Sequence, residues 1–132
     1  MSQSNEQEIN DNWLKEQLSR IEKCSELKYN WNGMESDPPN TWAMEWMEKI
    51  IRFQHKIGFC KGVVSPDGEG GITVCIQEEK KYADISVLNC GEILPLTDDS
   101  VERAKCWNVE TNNKAVKTAV NHIRTFLEES AK

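Results

Sequence analysis

The chain has 132 residues, 38% of them hydrophobic and 29% charged, with a formal net charge of −6. That length suits one domain whose core buries roughly two-thirds of the unfolded surface, with no need of a metal or disulfide staple. The acidity argues against general affinity for a phosphate backbone, and no apolar run approaches the ~18 residues of a membrane span.

The opening residues Met1 to Glu6 are polar, without the apolar stretch of a secretory signal, so the expected location is cytoplasmic. Residues 1–9 are expected to be disordered, ahead of a first helix that begins near Asn10 or Asp11, both good capping types, and ends near Leu27. Leu14, Leu18 and Ile21 supply its apolar stripe, with Trp13 and Cys24 alongside. Prolines and an Asn-Gly step then break the stretch Tyr29 to Pro39, in which Trp31 reads as a peg anchoring the loop to the core.

A second helix is predicted from Asn40 or Thr41 to Gly58, with Ala43, Trp46, Met47, Ile50, Phe53 and Ile57 on one broad face. Each large side chain fully buried there contributes about 1.5–3 kcal/mol. His55 falls on the opposite, solvated side. Crowding by Trp42 and Trp46 on one helix face raises the question of a dimer contact, and the sequence leaves the oligomeric state open.

Four strands follow. Phe59 to Ser65 is the first; the turn Asp67-Gly68-Glu69-Gly70-Gly71 leads to the second at Ile72 to Gln77. Tyr82 to Leu88 is the third, after the charged reversal Glu78 to Lys81, and Glu92 to Leu96 the fourth, with Pro95 marking an edge or strand end. Ile72, Val74, Ile76, Ala83, Ile85 and Val87 take one face by period-two alternation. Thr73, Cys75, Gln77, Tyr82, Asp84, Ser86 and Leu88 take the other, of mixed polarity, which is either solvated or a partner surface. After Thr97 to Ser100, a capping box of Asp99 with Glu102 would start a short helix, whereas the common parity of Lys105, Trp107 and Val109 favours a fifth strand. A last helix capped by Asn112 or Asn113 carries Ala115, Val116, Ala119, Val120, Ile123, Phe126 and Leu127. The predicted fold class is α+β: a single domain, an antiparallel sheet of four or five strands with two to three helices packed mainly on one face, in the order α-α-β-β-β-β-(β)-α.

Read together, Asn30-Trp31-Asn32-Gly33, the Pro38-Pro39 step, the helix from Thr41 and Val64-Ser65-Pro66-Asp67-Gly68-Glu69-Gly70-Gly71-Ile72 resemble a pattern in small proteins of bacterial genomes and mobile elements. The likeness spans about residues 28–94. That family shows W-D-G, a proline step, an amphipathic helix, a P-x-x-x-G-G-[IV] turn and a hairpin. Here Asn32 replaces the usual aspartate, and the Glu-Trp pair that often follows G-G-[IV] is absent. The resemblance implies a bacterial or phage source, and some members lie near toxin-antitoxin or defence genes; it brings no catalytic residue with it.

Candidate chemistry is sparse. The glycine turn lacks the G-x-x-x-x-G-K-[ST] spacing of a phosphate cradle and runs into a strand rather than a helix. Cys24, Cys60, Cys75, Cys90 and Cys106 are an odd number without a C-x-x-C pair, so reduced, mostly buried thiols are expected, and neither a metal nor a cofactor is called for. The leading expectation is a non-enzymatic, acidic protein-interaction module that binds and modulates a protein or nucleoprotein complex, in the manner of an antitoxin, an immunity protein or a phage inhibitor of host defence. Glu78, Glu79, Asp98, Asp99 and Trp31 are its candidate contacts. The alternative is nucleic-acid binding through two basic islands, residues 49–61 and 103–124, each of net charge +4 in an otherwise acidic chain, with Lys114, Lys117 and Arg124 on the outer side of the last helix. A cysteine-dependent enzyme using Cys75 or Cys90 with one of the two histidines is the third.

Overall fold

A computed structural model describes residues 2–100 and 104–129. Its elements are α1 (Ser2–Cys24), α2 (Thr41–Lys56), β1 (Val63–Asp67), β2 (Gly71–Glu78), β3 (Lys81–Leu88), β4 (Ile93–Asp98), β5 (Lys105–Cys106) and α3 (Asn113–Glu128). The strands form one antiparallel sheet in the order β1-β2-β3-β4-β5, so every neighbour in sequence is a neighbour in space. This is the expected α+β domain.

The alternation of β2 and β3 sets the register. Ile72 faces Val87, Val74 faces Ile85 and Ile76 faces Ala83, so one parity of both strands forms a continuous apolar sheet face. Those side chains are 0–4% exposed. They meet Ala43, Met47, Ile50 and Ile51 from α2 and Val116, Ala119, Val120 and Ile123 from α3, all buried. The three helices lie on this same face, with α1 against β1, α2 against β2 and β3, and α3 against β3 and β4.

Helix ends follow their capping chemistry. The Asn40 side chain accepts the Ala43 N–H at 2.8 Å, and Asn112 accepts the Ala115 N–H at 2.8 Å. Gly58, at φ +74°, closes α2 in the left-handed conformation that ends many helices.

Several expectations are corrected. The first helix begins at Ser2, not near Asn10, because Glu6, Gln7 and Glu8 are good helix formers and the Gln7 side chain bonds Asp11 one turn on at 2.8 Å. The first strand begins at Val63 rather than Phe59, because Nε2 of the buried Gln54 donates to the Phe59 and Lys61 carbonyls and holds that stretch against α2. His55 is not on a solvated side: α1 packs along that flank of α2, and the ring bonds Asp11 at 2.8 Å. The expected fifth strand is present but two residues long, extended by a bridge from Val109 to Ile93. Pro95 accounts for its brevity, since its carbonyl accepts the Trp107 N–H and its own missing N–H faces the same side. Glu102, half of the alternative capping box, lies outside the described residues.

Trp31 is also placed differently. Its indole N–H reaches the Asp37 carbonyl of its own loop, and the loop is pinned instead by the buried Ser36 hydroxyl on the Gly68 carbonyl at 2.6 Å.

Candidate interaction surface

Because β-strand side chains alternate, the helices cover only half of the sheet's side chains. Ser65, Asp67, Thr73, Cys75, Gln77, Tyr82, Asp84, Ser86, Leu88, Leu94, Leu96 and Asp98 point the other way, by the register of the first four strands. Among the described residues no helix lies over them.

Polar groups occupy the middle of this open face. Asp67 Oδ2 accepts the Thr73 hydroxyl at 2.8 Å, and Thr73 and Ser86 hydroxyls lie 3.0 Å apart. On the next strand pair the Tyr82 hydroxyl donates to Asp84 Oδ2 at 2.7 Å and lies 3.4 Å from Cys75 Sγ. Burial pushes the Asp84 carboxyl above its ordinary value, and the Asp67 charge adds to the rise against the Tyr82 hydrogen bond. Burial likewise raises the Tyr82 hydroxyl, helped by its Cys75 and Asp84 neighbours. Leu88, Leu94 and Leu96 flank this acidic centre and are half-buried.

A pH test follows. With its folded pKa above the ordinary 3.8, Asp84 costs nothing below that value, and its cost grows as pH rises through the folded pKa. Asp84→Asn keeps an acceptor for Tyr82 and removes the charge. Its melting temperature should exceed that of the parent at pH 7, and the gain should disappear below about pH 4. A gain equal at both pH values in thermal melts would contradict the assignment.

The candidate acids of the sequence are gathered at one end of the sheet. Glu78 and Glu79 lie at the β2–β3 turn, and Asp98 and Asp99 follow alongside at the end of β4, where the Ser100 hydroxyl fastens the two by bonding the Lys80 carbonyl at 2.8 Å. Glu78 is paired with Lys61. Trp31 sits at the opposite end, beside the β1–β2 turn, and does not join them.

The basic candidates divide. Lys114 is exposed. Lys117 lies over the Phe53 ring at 5.5 Å, and Arg124 is spent within the fold, donating to the Ile57 carbonyl at 2.8 Å and bridging Glu128 at 3.1 Å. Both therefore turn toward α2 rather than fully outward.

Among the described residues neither histidine hydrogen-bonds a cysteine: His55 bonds Asp11, and His122 meets the edge of Trp107 at 5.1 Å, in a cleft that Cys106 also lines. Burial raises the Cys24 and Cys60 thiols, the reverse of nucleophile activation. Cys75 sits beneath Tyr82, and the exposed Cys90 reaches its neighbour Glu92 at 3.2 Å. Among the described residues no three His, Cys, Asp or Glu side chains are grouped to hold a metal ion, and no helix is long and apolar enough to cross a membrane.

Sequence reasoning read Asp67 as a turn residue and missed its part in the open face. The usable signal was the pair Asp67 and Thr73, which the tight turn between them brings onto the same side of adjacent strands. Compared with models of protein families, with curated proteins and with solved structures, the chain matches none.

Proposed function

We propose that the chain is a protein-interaction module that docks its open sheet face on a basic surface of a macromolecular partner, modulating it in the manner of an antitoxin, an immunity protein or a phage anti-defence inhibitor. The observation that carries this reading is the Asp67–Asp84 centre. Its two carboxylates are set in a sheet face that no described helix covers, and Asp84 resists ionisation through burial and its acidic neighbour. An incoming Lys or Arg relieves that resistance, and the flanking Leu88, Leu94 and Leu96 supply apolar area around the charge. Glu79 and Asp98 at the sheet end add to the same negative field and favour rapid encounter with a cationic partner.

The test is an affinity pulldown of the tagged protein from bacterial lysate, with and without nuclease, followed by mass spectrometry. A stoichiometric partner should survive nuclease. Asp67→Asn with Asp84→Asn should weaken its binding by at least about tenfold in a chain whose circular dichroism shows it still folded, and Glu79→Lys with Asp98→Lys should slow association at low salt. Partner binding indifferent to both pairs of substitutions would remove the open face from the account.

Nucleic-acid binding has one supporting observation. Lys49 of α2 lies over Trp46 at 5.0 Å and Lys117 of α3 over Phe53 at 5.5 Å, so two half-buried rings of α2 each carry a cation. Binding to single-stranded DNA or RNA that falls steeply with salt, and falls further in Lys49→Ala, would move the assignment there.

A further inference from the structure

The charge on the open face is of one sign. Of the residues that the register of β1 to β4 turns there, Asp67, Asp84 and Asp98 are charged, and no lysine or arginine stands with them. Neighbouring cations are directed elsewhere. Lys81 donates to the Phe126 and Glu129 carbonyls at the end of α3 at 2.6 Å, and Lys105 stands opposite the buried Thr97 on the helix side. Lys61 is held by Glu78, and Lys80 lies beyond the face in the β2–β3 turn. The face is therefore complementary to a cation that another molecule must bring.

The setting of Asp84 selects which cation. Cys75 and Leu96 stand directly opposite it on the flanking strands, and Tyr82 and Ser86 lie two residues away along its own. Tyr82 donates to Asp84 Oδ2 at 2.7 Å, while Oδ1 makes no hydrogen bond among the described residues. On the other side of Asp84, the Ser86 hydroxyl lies 3.5 Å from Asp67 Oδ2, which also accepts the Thr73 hydroxyl. The acceptors are thus strung along a line through half-buried ground instead of gathered around a point. A lysine ammonium is a compact, strongly hydrated charge, and beside Cys75 and Leu96 its three donors would not all be answered. A guanidinium is planar and weakly hydrated. Its edge offers paired N–H groups to one carboxylate, its remaining N–H groups reach on in the same plane, and its bare faces lie well against an aromatic ring and a leucine. A second copy of the chain offers no free guanidinium from its described residues, since Arg20 reaches Val64, Arg52 bridges Glu48, and Arg124 is held by Ile57 and Glu128.

We propose that the group docked at this centre is an arginine of the partner protein, set edge-on to Asp84 and reaching Ser86 and Asp67, in preference to a lysine. The assignment rests on the open face being the docking surface, and it adds the identity of the contacting side chain.

The experiment titrates the isotope-labelled full chain with the capped tripeptides acetyl-Leu-Arg-Leu-amide and acetyl-Leu-Lys-Leu-amide and follows backbone amide shifts. Saturable shifts are expected at Asp84 and Ser86, with the arginine peptide bound at least about tenfold more tightly than its lysine counterpart. Asp84→Asn, which keeps an acceptor for Tyr82, should weaken the arginine peptide by about tenfold and bring the two peptides to similar affinity. Equal binding of both peptides at the open face of the parent chain would overturn the arginine assignment and leave the docking surface standing. An arginine preference that survives Asp84→Asn, or saturable shifts confined to residues outside the open face, would overturn it as well. So would a concentration-dependent dimer in light scattering that protects the Asp84 and Ser86 amides, since the face would then belong to a second copy. Failure of the docking surface itself reads differently: neither peptide then shifts an open-face amide, and the partner captured from lysate ignores Asp67→Asn with Asp84→Asn.

Discussion

Gly71→Ala is expected to be among the most damaging single-methyl additions to this protein, lowering stability by about 3–5 kcal/mol, a large share of the 5–15 kcal/mol typical of a domain. Gly71 opens β2 directly opposite Leu88. A methyl group there would stand 2.3 Å from the Val87 carbonyl oxygen and 2.8 Å from the Leu88 Cα, and both are backbone atoms. No side-chain rotation relieves such a clash. Strand β3 cannot retreat either, because β2 and β4 hold it on both sides. The residue also sits at φ +155°, outside the range side chains prefer. Gly91→Ala is the control: its φ is +101° but nothing lies within 4 Å, so it should cost only the conformational part, about 1 kcal/mol. Denaturant unfolding of the two variants measures the difference, and similar midpoints would show that the strand gives way more easily than this packing implies.

Gln17→Met should cost about 1–3 kcal/mol although it exchanges a polar side chain for an apolar one of similar length in a buried place. Gln17 is 2% exposed, and its Oε1 is the acceptor for the N–H of Val64, itself wholly buried. Methionine fills the volume and leaves that N–H without its partner. Hydrogen exchange at Val64 should accelerate in the variant while exchange at the centre of β3 changes only with global stability. If the Val64 amide stays as protected as in the parent, another group has replaced the glutamine and the cost should be near zero. Trp13→Phe removes a donor from a partly buried carbonyl and should be milder.

The hairpins were legible from sequence because each depends on local signals. Period-two alternation from Ile72 to Val87, with Gly-rich and charged reversals between, is enough to pair β2 with β3 in the observed register. The caps at Asn40 and Asn112 were legible for the same reason. Gln17 was not. A glutamine between Leu14 and Leu18 reads as the wet side of an amphipathic helix, and only the approach of β1 from 47 residues away makes it an interior acceptor. The start of β1 escaped prediction similarly, since it is decided by Gln54 on a preceding helix rather than by the β-propensity of Phe59. Half of the open face was legible as a parity class from Thr73 to Leu88. The Asp67 contribution needed the turn geometry that folds its carboxylate back over Thr73.

The way α1 meets β1 also bears on how the chain acquires its shape. Trp13, Gln17 and Arg20 leave the ribosome several dozen residues ahead of Gly62 and Val64, their partners. At synthesis rates of about 5–20 residues per second, the helix waits seconds with these groups unanswered. The strands from β1 to β4 pair with immediate successors and need no such delay. In the nascent protein α1 is therefore expected to meet α2 first, through contacts such as Asp11 with His55, and to keep the side of Trp13, Gln17 and Arg20 open as a waiting seat for the first strand.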